Sequence, residues 1–543
     1  MSRAVLPIAC LFLLATSMAF ADDTLWTVRK NGSANRDADA CIVLVDQTDC
    51  VISVGSVVNT GTGYDISVTK YGPDGNQLWT TTVGEPGNVG DRAVDAALDA
   101  SGNVYVTGRT GTYPDYNILI AKINTLGPPV AWIRTYEGSA GKADEPAAIA
   151  VDAAGNPIVA GYTTGAGSIA DWVIFKLMTV SGLPMWTVVN DGGGDDHPAA
   201  IAIGPQNSVY VTGYRQYPTS HEDFLTGKYS TTGVEQWYQS WNGPGNANDR
   251  AVAIAVDTAG SAYVTGKSST DTSTTGHFQF ATVKYASDTG AKVWDARYDG
   301  TGRGNMPVAI ALGASAVYVT GSSQNSAGND DYATVAYGVS GGNQLWVTRY
   351  DGPAGKNDDP ADIAVLPYGM ILVTGTSIDA ADKGDYLTLR YRDDGAEDWV
   401  SWYNSPFDND DQGKSLAFDS HSNPLVLGNS YGDGKYDMVT VKYDSSAAGG
   451  INESKTVGPR RSEMRLAPNP ARNWTNVQHS LSGAVSATIS LLGVDGRVVR
   501  TQRFDGQAGG PARLDLAGLT PGVYVARLVS GARALTQKLV IEQ

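Results

Sequence analysis

The stretch AVDAALDASGNVYVTG, residues 93–108, reads as two short strands of small and β-branched residues joined by the turn signal DASGN. It returns as AAIAVDAAGNPIVAG from Ala147, AVAIAVDTAGSAYVTG from Ala251 and VAIALGASAVYVTG from Val308. Tryptophan sets the period: Trp26, Trp79, Trp132, Trp186, Trp237, Trp294, Trp346 and Trp399 stand 51 to 57 residues apart. A second ruler agrees, because Gly55, Gly108, Gly161, Gly213, Gly266, Gly321, Gly375 and Gly428 each close a run such as YVTG. A period of roughly 50 residues with strand patterning alone points to a β-propeller or a β-solenoid.

Each unit holds four strand-like runs; in the second they are AVDAALD, NVYVTG, YNILIAKI and VAWIRTY. The first, rich in Ala, Val and Ile, suits a strand crowded at the axis of a ring. The third ends in a basic residue followed by an aromatic or aliphatic one, as in VTKY and TLRY. The fourth carries the Trp, which can pack between neighbouring sheets. The array enters on a fourth-type run, TLWTVRK at Thr24, and leaves on a third-type run, DMVTVKY at Asp437. The first run therefore completes the last unit and covers its edge. Complementary loose ends favour a closed ring over a solenoid, and eight four-stranded blades are expected over residues 22–443.

The chain of 543 residues is too long for one ordinary core, and its formal charge of −17 argues against nucleic acid as a partner. Arg3, an apolar run from Ala4 to about Met18, and Ala19-Phe20-Ala21 have the layout of a secretory signal peptide, residues 1–21, cut after Ala21 and carrying Cys10 away with it. No other segment reaches 18 consecutive apolar residues, so the mature chain is not expected to span a membrane. Cys41 and Cys50 lie about 13 Å apart along a hairpin at β-strand rise, too far for a disulfide.

Beyond Tyr443, residues 444–462 have no periodicity and read as a linker. From Arg460 onward there are 11 Lys and Arg against 5 Asp and Glu, whereas the rest of the chain has 28 against 51. Short alternating runs over 463–543 predict a small β-sandwich.

Two resemblances follow. IAVDAAGNPIVAG and AIAVDTAGSAYVTG, with TVKY and the turn DTGAKVW, resemble the bacterial SBBP-type propeller repeats. The DTGAKVW turn is also similar to the Trp-docking repeat of quinoprotein dehydrogenases. At the C-terminus, LAPNPARN at Leu466, LLGVDGRVVRT at Leu491, LDLAGLTPGVYVARL at Leu514 and the final QKLVIEQ resemble, in order, the type A sorting domain of the type IX secretion system. That resemblance implies a sorting signal at Pro468, Asn469, Pro470, Gly493, Gly496, Gly518, Leu519, Gly522, Tyr524 and Lys538. It also implies handling by the type IX machinery and delivery through the periplasm to the surface or the medium.

In an up-and-down blade the inter-blade links and the loops from run two to run three share one face. Those loops vary most, and variable loops on a repetitive scaffold usually carry binding. Tyr214, Tyr217 and His221 sit in one of them, YRQYPTSHED, and His197 stands on the same face. A recurring acid precedes run one at Asp91, Asp144, Asp196, Asp249, Asp359 and Asp411, with Asn305 in the sixth unit. Threaded on a ring, these carboxylates would crown one mouth of the central channel. One reading is a polar-ligand or Ca2+ site; the other is that each Asp accepts backbone N–H bonds and pins its link. Charges about 10 Å apart in water repel by only roughly 0.4 kcal/mol, so a hydrated ring does not require an ion. A second acid opens run three at Asp65, Asp171, Asp223, Asp331, Asp385 and Asp437, and reads as structural. DNDDQGKSLAFD, residues 408–419, has the outline of a calcium loop but ends in Asp and lacks flanking helices.

No H-E-x-x-H, G-x-S-x-G or phosphate-loop pattern occurs. The sequence therefore favours a secreted or cell-surface, non-catalytic propeller that binds an extracellular protein or glycan, with no cofactor beyond a Ca2+ ion at the ring. The alternatives are a propeller enzyme of the quinoprotein or polysaccharide-lyase kind, and a structural adhesin.

Overall fold

The computed structural model describes residues 24–446, apart from short loop segments at 86, 88–89, 127–129, 139–140, 166–168, 217–220, 271–276 and 302–303, together with segments between 464 and 541. The expected signal peptide, including Cys10, and most of the expected linker lie outside the described residues. The chain divides into two compact units, Met1–Ile451 and Asn452–Gln543. Among the described residues the one helical turn is Pro205–Asn207, and no helix is long and apolar enough to cross a membrane.

The first unit is a ring of eight four-stranded antiparallel sheets, the expected eight-bladed propeller. Blade 2 is typical: Arg92–Leu98, Val104–Thr112, Asp115–Ile123 and Val130–Tyr136 lie side by side in chain order. Blade 8 contains Asp411–Phe418, Pro424–Gly432 and Lys435–Tyr443, and its fourth strand is the N-terminal Thr24–Lys30, paired antiparallel with Lys435–Tyr443. Between sheets the core is continuous, with Ile52, Val54, Ile66, Val68, Val104, Val106 and Leu119 all buried between blades 1 and 2.

The glycine ruler has a steric cause. Every first strand bulges just after the residue paired with that glycine, as between Ala251 and Ala253 opposite Gly266. The bulge drives a carbonyl into the space a side chain would need. A Cβ on Gly266 would lie 2.1 Å from Arg250 O, on Gly108 2.3 Å from Arg92 O, and on Gly375 2.2 Å from Asp359 O. The threonine of YVTG also has a task, because Thr212 and Thr265 Oγ1 donate to third-strand carbonyls at 3.1 and 3.0 Å. The DASGN turn is closed by its aspartate: Asp99 Oδ1 accepts N–H bonds from Ser101 and Asn103, both at 2.9 Å.

The tryptophan ruler marks blade-to-blade docking. Trp237 Nε1 donates to Ser287 O in the next blade at 3.0 Å, and its ring fills the space beside Gly290 of the same turn. The third-strand cation reaches the same carbonyl, since Lys228 Nζ lies 2.7 Å from Ser287 O. Trp132 and Lys122 converge on Thr179 O, Trp186 and Lys176 on Thr231 O, and Trp294 and Lys284 on Val339 O. At the ring closure, Trp26 of the N-terminal strand and Lys442 converge on Pro73 O at 2.8 and 3.1 Å. In blades 1, 3 and 8 the lysine is also held by the turn aspartate, in the buried pairs Lys70–Asp46, Lys176–Asp152 and Lys442–Asp419.

Cys41 and Cys50 are unbridged, as the hairpin geometry predicts; Cys41 occupies the bulge of blade 1, where burial raises its thiol pKa. The second unit consists of a three-stranded and a four-stranded sheet around Ile489, Leu491, Leu514, Leu516, Tyr524, Ala526, Leu539 and Ile541. Gly518 has φ +80° in the turn before its longest described hairpin, and Tyr524 Oη donates to Thr520 O at 2.7 Å. Leu519 packs on that core and Gly522 opens the following strand, while Pro468, Asn469, Pro470, Gly493 and Gly496 lie outside the described residues.

Two substitutions separate the rulers. Trp237→Phe keeps the packing but removes the bond to Ser287 O, and is expected to cost about 1 kcal/mol in denaturant titration. Trp237→Ala is expected to cost about 3–5 kcal/mol. Gly266→Ala, which forces backbone apart at a bulge, is expected to destabilise more than Trp237→Phe.

Candidate functional site

The junction acids are placed by the bulged first strands. Asp91, Asp144, Asp196, Asp249 and Asp411 are at most 1% exposed, wedged between neighbouring sheets on the loop-bearing face. The hydrated crown of carboxylates expected at a channel mouth is therefore not what the fold builds, because each side chain turns inward against the adjoining blade. Most of them close their inter-blade link, accepting N–H bonds from Glu85 (3.1 Å, to Asp91), Gly138 (2.5 Å, to Asp144), Gly243 (2.6 Å, to Asp249) and Ser405 (2.6 Å, to Asp411). Asp196 also takes a bidentate bond from Arg215 Nε and Nη2 at 2.6 and 2.7 Å.

In blade 7 the junction residue is Asp358, not Asp359. Asp358 is fully buried, accepts Gly352 N–H at 2.6 Å and bonds the Ser377 hydroxyl, whereas Asp359 is exposed and pairs across the strands with Thr376. The doublet hides the register; Pro360, in line with Pro146, Pro198 and Pro307, reveals it.

The second acid series faces the first across the same junctions. Burial pushes Asp91 up to about 6, with Asp65 and Glu85 adding to the rise. Burial raises Asp249 and Asp358 to about 6 as well, with Asp223 contributing to the first and Asp351 and Asp331 to the second. Asp385 goes to about 7 through burial and the charges of Asp379, Asp411 and Asp408. Arginines answer some of this charge: Arg29 bonds Asp437 at 2.8 Å and Arg349 bonds Asp331 at 2.7 Å. Asp331, Asp351 and Asp358 bring carboxylate oxygens within 4.8 Å of one another, beside Arg349. Residues 408–419 form no calcium loop. A strand, Asp411–Phe418, separates the two ends, and Asp419 belongs to a turn on the opposite face, where it is bound to Lys442 at 2.8 Å.

One residue past each junction position, which is an acid in six blades and Ala38 or Asn305 in the other two, the chain presents a different set: Asp39, Arg92, Glu145, His197, Arg250, Met306, Asp359 and Gln412. In the first five blades these form a half-exposed belt with residues of the second and third strands. Arg92 lies 3.8 Å over the Tyr64 ring, and Arg109 lies 4.6 Å over Tyr116 while reaching Glu145 at 3.3 Å. Tyr162 Oη bonds Glu145 at 2.9 Å. His197 meets Tyr162 edge-on at 4.9 Å and stacks on Tyr214 at 5.1 Å, and Arg250 covers Tyr214 at 4.5 Å while pairing with Glu222. Burial lowers the His197 pKa, with Arg250 adding to this and Asp195 opposing it. His197 and Tyr214 are thus brought together, whereas His221 stands half-buried ahead of the third strand of blade 4, near Asp223, and Tyr217 lies outside the described residues. Tyr162, Glu145, Arg109 and Arg250 escape sequence reading. The signal for Glu145 and Arg250 is simply that each follows a recurring acid.

The raised carboxylates fix a pH dependence. A folded pKa above the unfolded value of about 3.8 means the folded chain binds protons that the unfolded chain has released, so stability falls as pH climbs from about 4 to about 7. The acids held below their usual range by lysine, Asp46, Asp152 and Asp419, act only below about pH 4. In metal-free buffer the melting temperature is expected to be higher near pH 5.5 than near pH 8. Asp385→Asn should flatten that slope; a melting temperature rising with pH would contradict it.

Comparison with known proteins bears on the two units differently. No curated protein matches the chain. Among solved structures, Sqt1 from Chaetomium thermophilum is similar at 9% identity and TM-score 0.46, over 76% of this chain and 98% of that one. The quinohemoprotein alcohol dehydrogenase from Comamonas testosteroni is similar at 9% identity and TM-score 0.47, over 80% and 78%. The polysaccharide lyase Uly1 is similar at 9% identity and TM-score 0.40, over 77% and 91%. Residues 465–542 match the family of secretion-system C-terminal sorting domains, and with it the chain carries the signal of a protein exported to the cell surface or beyond.

Proposed function

We propose that this chain is a non-catalytic binding protein, exported by the type IX system after removal of residues 1–21, whose propeller holds an extracellular glycan on its loop-bearing face. The observation that supports this reading is the belt from Tyr64 to Arg250, where half-exposed tyrosine rings alternate with guanidinium and carboxylate groups. Ring faces accept the C–H face of a sugar, and the fixed charges beside them orient its hydroxyls, the usual division of labour in a small-ligand site. The belt stops after blade 5, and Met306, Asp359 and Gln412 take its positions in blades 6, 7 and 8, so the ring offers one site rather than eight. The SBBP-type repeat accounts for the scaffold, and residues 463–543 deliver it to the secretion machinery.

On a glycan array, residues 22–446 are expected to retain specific sugars, and Tyr162→Ala with Tyr214→Ala should weaken that retention at least tenfold while the melting temperature moves by only a few degrees. Retention unchanged by the double variant would place binding elsewhere. In cells, deleting residues 466–543 should leave the propeller in the periplasm; surface or medium delivery without them would refute the export reading.

A further inference from the structure

Two pairs of like charges stand on the belt. Arg92 lies directly opposite Arg109 across the first two strands of blade 2, and Arg250 directly opposite Lys267 in blade 5. Among the described strand pairs these are the only like charges set face to face, in a chain whose formal charge is −17. Side chains directly opposite share one face of a sheet, and like charges there destabilise it. The ring does not need them, because the same two positions hold Glu145 and Tyr162 in blade 3, Met306 and Ser322 in blade 6, and Gln412 and Asn429 in blade 8.

Each pair is only half neutralised. In blade 2, Arg109 reaches Glu145 at 3.3 Å. Arg92 lies 3.8 Å from Asp39, a carboxylate that Lys414 Nζ and Asn429 Nδ2 already hold at 2.5 and 3.0 Å. In blade 5, Glu222 takes a bidentate bond from Arg250. Lys267 is half-buried, stands 4.9 Å over the Phe278 ring and makes no ion pair among the described residues. Burial and the Arg250 charge hold its pKa below the usual lysine value, with Glu222 opposing them. One cation of each pair, Arg92 and Lys267, thus keeps charge to offer.

Between the two pairs the floor is aromatic. Contacts run from Arg109 through Glu145 to the Tyr162 hydroxyl at 2.9 Å, from Tyr162 to His197 at 4.9 Å, from His197 to Tyr214 at 5.1 Å and from Tyr214 to Arg250 at 4.5 Å. The cationic ends belong to blades 2 and 5, and the floor to blades 3 and 4. A ligand that reaches both ends is an oligomer carrying oxyanions for the cations and apolar ring faces for the tyrosines. We propose that it is an acidic polysaccharide, whose carboxylate or sulfate groups meet Arg92 and Lys267 while its sugar rings lie on Tyr162 and Tyr214. This rests on the reading of the propeller as a glycan-binding protein and narrows it to one chemical class.

The test probes the full-length chain on an array of neutral and acidic glycans that sets each acidic polymer beside its uncharged counterpart: polygalacturonate beside its methyl ester, and dextran sulfate beside dextran. Acidic glycans are expected to be held at least tenfold more tightly than neutral ones, and the pair that discriminates tells carboxylate from sulfate. Arg92→Gln with Lys267→Gln should abolish that preference without lowering the melting temperature of the free protein, because each change relieves a like-charge contact. A merely structural role for the two cations would lower it. Neutral glycans held as tightly as acidic ones overturn the proposal and leave the glycan reading standing, whereas an array that retains nothing overturns both. Acidic-glycan preference that survives the double variant also overturns it, and so does polyglutamate bound as tightly as the acidic glycans.

Discussion

Ring closure rests on one repeated interaction: a turn carbonyl that receives the tryptophan N–H, and in most blades the third-strand cation, of the preceding blade. A hydrogen bond to a neutral donor is worth about 1 kcal/mol net and one to a charged donor about 1.5–3 kcal/mol. The larger effect is positional. The indole lies flat against the turn glycine, as Trp237 does on Gly290, and so fixes the angle between successive sheets. The same contact at Pro73, made by an N-terminal strand and a C-terminal lysine, closes the circle with the geometry used everywhere else. Blade 6 shows how strict the demand is: Ala336 stands in place of the lysine, Trp346 still bonds Asp393 O, and the Thr348 hydroxyl donates to Gly395 O at 2.6 Å.

Docking through the short-turn face leaves the opposite face under a different constraint. There the links must be closed over buried carboxylates, and each junction solves the resulting charge problem in its own way. Arg215 clasps Asp196, Arg349 holds Asp331, and the fifth junction replaces both acids with Gln279 and Asn305. Asp385 has no such help, and burial with three neighbouring carboxylates carries it to about 7. The scaffold is therefore uniform in hydrogen bonding and uneven in electrostatics. Its response to protons concentrates at these junctions.

Much of the fold was legible because its causes are local. Four runs per unit, the turn signals and the split last blade follow from patterning that survives in each copy. The reasons for the two rulers were not legible, since a bulge that drives Arg250 O toward Gly266 and an indole that docks on the next blade are contacts between distant residues. The site was harder still. Two acid series read as separate features meet across every junction where both occur, because a link reversal brings the start of one third strand beside the start of the next first strand. A doublet at 358–359 was enough to shift the register by one, and that shift exchanges a buried junction acid for an exposed residue.

That single-residue distinction also explains how such a ring can acquire a function. The junction position is committed to closing the link, and the bulge that follows is committed to the glycine opposite. The residue between them has neither duty: its carbonyl serves the bulge, but its side chain does not. Across the eight blades it is Asp39, Arg92, Glu145, His197, Arg250, Met306, Asp359 and Gln412, as varied in charge and size as the junction series is uniform. Its cross-strand partners vary with it, from Arg109 and Tyr162 to Thr376 and Asn429. None of the eight residues themselves closes a link or receives the tryptophan N–H, so their identity is free of the two duties that keep the ring uniform. The arginine, tyrosine and histidine contacts gathered there on blades 1 to 5 are what a scaffold of eight near-copies needs in order to present one surface.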